Sequence, residues 1–161
     1  MSEIRVLMIC LGNICRSPTA EAVLRSKLQR AGLDGRIAVA SAGTHGERGG
    51  APDARAVAAA AKRGYDLSRI RSRRIATEDF ERFDLLLAMD RENLEYLASQ
   101  CPQPHQERLG LLLDHAPKSL GLREVPDPYY GAPAGFDRVL DLIEPACDGL
   151  VAELRRRLGT S

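Results

Sequence analysis

The 161-residue chain has no tryptophan and only 4% aromatic residues, so its core has to be built from aliphatic side chains rather than large rings. It lacks a long apolar run. The stretch Val6 to Cys10 is far short of the roughly 20 residues that span a bilayer, and short for a secretory h-region. The expectation is a cytoplasmic protein with no membrane partner. Charge of one sign is also missing: 23 Lys and Arg against 22 Asp and Glu leave +1, which gives no field that would select nucleic acid. Cysteine is sparse, with four residues at irregular spacing, which argues against a disulfide framework and for reduced thiols. His45, His105 and His115 stand singly and read as solvated. Together with Cys10 and Cys15 they offer no second ligand pair at metal spacing, so no metal site is expected. No repeat or low-complexity tract is visible, and the length suits a single domain over 1–161, expected as a monomer.

What is present is an alternation of short apolar runs with helical patterns. Strands are expected at Ile4 to Cys10, Ile37 to Ala42, Leu85 to Ala88 and Glu107 to Leu113, the first and third continuously apolar as in strands covered on both faces. Helices are expected at Pro18 to Ala31, Asp53 to Arg63, Glu78 to Phe83, Arg91 to Ser99 and Ala134 to Leu158. Ser17, Asp53, Thr77 and Asp90 are the candidate N-caps, and Gly32 and Gly64 the left-handed closures. Pro145 removes an amide donor and predicts a kink. The stretch Ala116 to Pro133 reads as a long loop, a length usually kept for function. Strand, crossover helix and strand in this order give an α/β fold with a parallel sheet and helices on both faces. Ligands of such sheets sit at the carboxyl ends of the strands, where Cys10 falls.

The segment Cys10-Leu11-Gly12-Asn13-Ile14-Cys15-Arg16-Ser17-Pro18 therefore lies between a strand end and a helix start. Gly12 and Asn13 are the residue types that reach positive φ at least cost, so the loop can curl until its amides form an anion-binding nest. Pro18 at the first helical position, with Ser17 as cap, adds the positive end of the helix. Arg16 adds a planar fork that holds two phosphate oxygens at once. A cysteine at the rim of such a cup is favoured as the thiolate, and Ser17 can donate a hydrogen bond to it. Cys10 is thus a nucleophile placed before a bound phosphorus, in a field that also stabilises transition-state charge. A phenoxide leaving group requires an acid on the opposite side. Asp127, between Pro126 and Pro128, is the candidate, and Tyr129 and Tyr130 offer an aromatic wall for an aryl ring. The Arg69 to Arg74 run reads as a solvated basic face.

These features resemble the low-molecular-weight protein tyrosine phosphatases over nearly the whole chain. The resemblance rests on the Cys10 to Pro18 loop, Ser41-Ala42-Gly43-Thr44, Asp53-Ala54-Arg55-Ala56, Asp66-Leu67-Ser68, Phe83 to Asp90 and Asp127-Pro128-Tyr129-Tyr130. It implies a three-layer domain with a four-stranded sheet in the order 2-1-3-4. It further implies Cys10 as nucleophile, Arg16 as phosphate clamp, Asp127 as general acid then base, and Ser17 as partner of the sulfur. Leu11, Gly12, Asn13, Ile14, Cys15, Tyr129 and Tyr130 are implied around the substrate, with Asn13 and Ser41 shaping the loop. Cys15 is implied as a redox partner able to form a reversible disulfide with Cys10. No cofactor is implied, and the partners implied are phosphotyrosine-containing proteins. Two departures stand out: Thr44 to Pro52 lacks the aromatic residue that members commonly place there, and Ile70 occupies the place of a histidine that supports the phosphate loop. Arsenate reduction, phosphoarginine hydrolysis and noncatalytic phosphotyrosine binding are the competing readings. The first is weakened by the absence of cysteine from Thr77 to Gln100, the second by Ile14 where that branch tends to carry threonine, and the third by the presence of both Cys10 and Asp127.

Overall fold

The computed structural model describes residues 2–159. Strand β1, Ile4–Cys10, lies at the centre of a four-stranded sheet and pairs in parallel with β2, Ile37–Gly43, and with β3, Leu85–Ala88. Strand β4, Leu109–Leu111, joins the far edge of β3, also in parallel, so the order is β2-β1-β3-β4 as the resemblance implies. Side chains of β1 alternate between two cores, the period-2 rule of a pleated strand covered on both faces. Val6, Met8 and Cys10 enter a core shared with helices α1, Arg16–Arg30, α2, Ala54–Ala61, and α5, Ala134–Arg157. Leu7 and Ile9 face the other side, where Phe80 and Leu97 come from α3, Asp79–Arg82, and α4, Arg91–Gln100. No helix among the described residues is long and apolar enough to cross a membrane.

Several local expectations are corrected. The fourth strand is three residues long, not seven. Residues 103–108 coil into a 3₁₀ turn that lets Arg108 donate to the carbonyls of Phe80, Glu81 and Phe83. Leu112 and Leu113 turn out of the sheet to bury themselves in the core that includes α5. Helix α1 begins at Arg16 rather than Pro18, so Ser17 lies inside the first turn and does not cap it. Thr77 is not the cap of α3, whereas Asp53 and Asp90 cap α2 and α4 by accepting from Arg55 N and Asn93 N. Gly32 and Gly64 adopt the left-handed conformation as expected. Helix α5 runs uninterrupted across Pro145. His115 is half-buried rather than solvated, and burial pushes its pKa down.

Candidate active site

The loop between β1 and α1 is held from outside by the segment after β2. Thr44 N donates to Cys10 O at 2.9 Å, His45 N to Leu11 O at 2.9 Å, and Asp53 N to Ile14 O at 2.8 Å. Those contacts occupy loop carbonyls, while the amides of residues 11–15 donate to no backbone carbonyl among the described residues. Donors left over at a helix N-terminus are what an anion needs. Asn13 takes φ of 57°, the left-handed turn that curls the loop; Gly12, expected to share this role, keeps a negative-side backbone.

Asn13 is 1% exposed and fully engaged. Its Nδ2 donates to Ser17 Oγ at 2.8 Å and to Ser41 Oγ at 2.9 Å, and its Oδ1 accepts from Arg73 N at 3.0 Å. Ser41, named from the sequence beside Asn13, is thus hydrogen-bonded to it. The backbone amide of Arg73 supplies a further hold, while Ile70 packs against the core. Ser41 Oγ in turn donates to the buried Glu21 Oε1 at 2.6 Å. Ser17 Oγ lies 3.0 Å from Cys10 Sγ.

A cavity of about 260 Å³ opens over this loop, lined by Cys10, Leu11, Gly12, Ile14, Cys15, Arg16, Asp127, Tyr129 and Tyr130. Nine of the residues named from the sequence thus share one hollow, and Asn13, Ser17 and Ser41 form the layer beneath it. Arg16 is 2% exposed; its Nη1 donates to Asp90 Oδ2 at 2.6 Å and to Val125 O at 2.9 Å, which fixes the plane of the guanidinium. Its Nη2 lies 3.8 Å from Asp127 Oδ2. Asp127 stands at the mouth with its side chain 41% exposed, and its Oδ1 accepts from Tyr129 N at 3.1 Å. Tyr129 and Tyr130 meet edge to face with centroids 4.9 Å apart, Tyr130 almost wholly exposed. The Thr44 to Pro52 segment carries His45, whose ring lies 5.0 Å from that of Tyr96.

Sequence reasoning missed three contributors. Asp90 was legible only as a helix cap, yet its other oxygen holds Arg16. Arg55 pairs with Asp53, donates to Tyr129 O at 3.1 Å and sets its guanidinium 5.5 Å from the Tyr129 ring centroid and 4.7 Å from that of Phe136, so it ties the Asp127 loop to the start of α2. Glu21 reads as an ordinary helical acid, and its burial depends on how α1 packs against β2. Cys15 is a free thiol, as is Cys10. Burial, then the carboxylate of Asp53, pushes the Cys15 pKa up to about 12, which keeps that sulfur protonated. Among the described residues no group of His, Cys, Asp and Glu could hold a metal.

The profile of the family described as Low molecular weight phosphotyrosine protein phosphatase matches residues 5–159. A protein of Synechocystis sp. provisionally named a low molecular weight protein-tyrosine-phosphatase is 43% identical over 156 residues, covering 96% of this chain and 98% of that one. The crystal structure of YfkJ from Bacillus subtilis superposes with a TM-score of 0.90 at 36% identity, covering 98% of both chains. That of a protein tyrosine phosphatase from Entamoeba histolytica with Hepes in its active site gives 0.89 at 37% identity, covering 95% of this chain and 97% of that one.

Proposed function

The chain belongs to the low molecular weight phosphotyrosine protein phosphatase family, and from that premise we propose that it hydrolyses phosphotyrosine and related aryl phosphates by two displacements at Cys10. The observation that carries the reading is the convergence of Cys10, Arg16 and Asp127 on one cavity whose floor offers loop amides without backbone partners. In the first step the sulfur attacks phosphorus, the P–S bond forms as the P–O(aryl) bond breaks, and the Asp127 carboxyl gives its proton to the departing phenol oxygen. In the second, water attacks the phosphocysteine, the Asp127 carboxylate takes its proton, and the P–S bond breaks to return the sulfur and release inorganic phosphate. Loop amides and Arg16 hold the equatorial oxygens throughout. Asp90 keeps the fork in plane, and Tyr129 and Tyr130 wall the slot for the aryl ring. The scheme asks for no metal or organic cofactor.

Phosphotyrosine-containing proteins are the proposed partners, met by a monomeric single domain in the cytoplasm, where the free thiols of Cys10 and Cys15 persist. Arsenate reduction needs resolving thiols, and Cys101 lies in the core on the opposite face of the sheet from Cys10. Ile14 gives the cavity an apolar lining that suits an aryl group better than a phosphorylated guanidinium. The test is turnover of a phosphotyrosine peptide by the wild type and by Cys10→Ser. The variant is expected to lose turnover while still binding inorganic phosphate. Retained turnover, a preference for phosphoarginine, or arsenate-dependent thioredoxin oxidation that outpaces aryl phosphate hydrolysis would each overturn the reading.

A further inference from the structure

Glu21 is a carboxylate on α1, 8% exposed, that the chemistry above leaves without a task. Its place becomes clear once hydrogens are assigned from a fixed point. A backbone N–H only donates, so the end of the Asn13 amide that meets Arg73 N at 3.0 Å is its oxygen, and the end facing the two serines is its NH₂. Both serine oxygens therefore accept from Asn13, at 2.8 Å for Ser17 and 2.9 Å for Ser41. Each hydroxyl then has to place its own hydrogen elsewhere. For Ser41 the taker is Glu21 Oε1 at 2.6 Å. For Ser17 the choice is between Cys10 Sγ at 3.0 Å and Ala42 O at 3.5 Å, and the sulfur is nearer.

The second oxygen of Glu21 accepts from Arg25 Nη2 at 2.6 Å, one helical turn on, and the same nitrogen donates to Val39 O at 2.9 Å. The pair is thus anchored to β2. Ile70 is apolar and offers no alternative partner to this layer. Resting on the phosphatase reading, we propose that Glu21, backed by Arg25, is a positioning residue that acts on Cys10 through Ser41, Asn13 and Ser17. By taking the Ser41 hydrogen it keeps the Ser41 oxygen turned toward the Asn13 NH₂, so that Asn13, fixed at its other end by Arg73 N, stays in its left-handed turn and keeps its second N–H on the Ser17 oxygen, which leaves the Ser17 hydrogen for the sulfur. A carboxylate suits this end because one oxygen takes the Ser41 hydrogen while the other is held by Arg25.

A double-mutant cycle on kcat toward an aryl phosphate tests the chain. Glu21→Ala leaves the Ser41 hydrogen without a taker and should lower kcat about ten- to thirtyfold with KM little changed, the scale of one hydrogen bond to a charged group. In a Ser17→Ala background the same change should cost no more than about twofold, because the route to the sulfur is already cut. Glu21→Gln keeps an acceptor oxygen and should stay within about threefold of wild type. A residue that serves stability alone would lower the melting temperature and give losses that multiply. Multiplying losses, or a kcat of Glu21→Ala within about twofold of wild type, overturn the proposal. If Glu21→Ala does not fold, Ser41→Ala severs the same chain and takes its place in the cycle with the same criteria. Failure of the wild type to turn over any aryl phosphate would refute the phosphatase reading instead. The positioning role is then read from Cys10 carbamidomethylation by iodoacetamide: slowing in Glu21→Ala but not in Glu21→Gln supports it, and an unchanged rate in Glu21→Ala refutes it.

Discussion

Replacing Asp90 with alanine removes two interactions made by one carboxylate. The cap on Asn93 N is worth about 1 kcal/mol. The second loss is larger, because the Arg16 side chain is only 3% exposed and would keep just the Val125 carbonyl and a carboxylate 3.8 Å away. Breaking a buried pair by removing one partner costs about 3–5 kcal/mol, and the 21% exposure of the Asp90 side chain reduces this to about 2–3. The sum is a stability loss of about 3–4 kcal/mol, readable as a shift of the urea midpoint. Asp90→Asn cannot keep both contacts: with its oxygen on Asn93 N it turns an NH₂ toward Arg16 Nη1, and flipped it loses the cap, so its loss should fall near half that of alanine. In both variants Arg16 is expected to swing toward Asp127, which misplaces clamp and acid together and lowers kcat/KM about a hundredfold. If Asp90→Ala costs no more than the cap's ~1 kcal/mol and leaves kcat/KM within about threefold, Asp90 does not hold the guanidinium.

Asp127→Asn should slow phenyl phosphate by about 10²–10⁴ and p-nitrophenyl phosphate far less, since acid assistance matters most for a poor leaving group; equal losses on both would remove Asp127 from that role. Cys15, raised by burial toward about 12, stays protonated while the unfolded chain ionises near 9, so its contribution to stability is complete below about pH 9 and lost as pH climbs toward 12. Urea titrations should show this loss in wild type and less of it in Cys15→Ala; equal slopes would contradict it. A Cβ at Gly149 would sit 1.8 Å from His115 O, so Gly149→Ala should cost about 3 kcal/mol in urea unfolding by forcing α5 off the 112–115 turn, and a neutral result would contradict that contact. Arg55→Ala should free the acid loop from α2 and reproduce part of the leaving-group dependence of Asp127→Asn, whereas a loss independent of leaving group would deny the latch.

The sheet was legible because β1 and β3 are continuous apolar runs and because capping residues and glycines punctuate the helices. The curl of the loop after β1 was legible because Asn13 is a residue type that takes positive φ at little cost, and that local curl brings Cys10 and Arg16 to one cavity. Less legible were contacts set by the packing of distant segments. Asp90 follows a strand and precedes a helix, which sequence reads as a cap, and its hold on Arg16 across 74 positions exists only once β1 and β3 are neighbours. Glu21 reaches Asn13 only through Ser41 of β2, and Arg73 N meets Asn13 only because its segment runs beside the end of β2. The short β4 escaped because Glu107 and Leu113 fit a strand by composition, while the tertiary contacts of Arg108, Leu112 and Leu113 pull both ends into turns.

The central claim is that phosphorus passes through the sulfur of Cys10. The direct test is rapid acid quench of the enzyme during turnover of an aryl phosphate, followed by mapping of protein-bound phosphate by mass spectrometry. A phosphothiol on Cys10 that forms and decays within the catalytic cycle is the predicted result. Phosphate released with no such species, or phosphate found on another residue, would contradict the account.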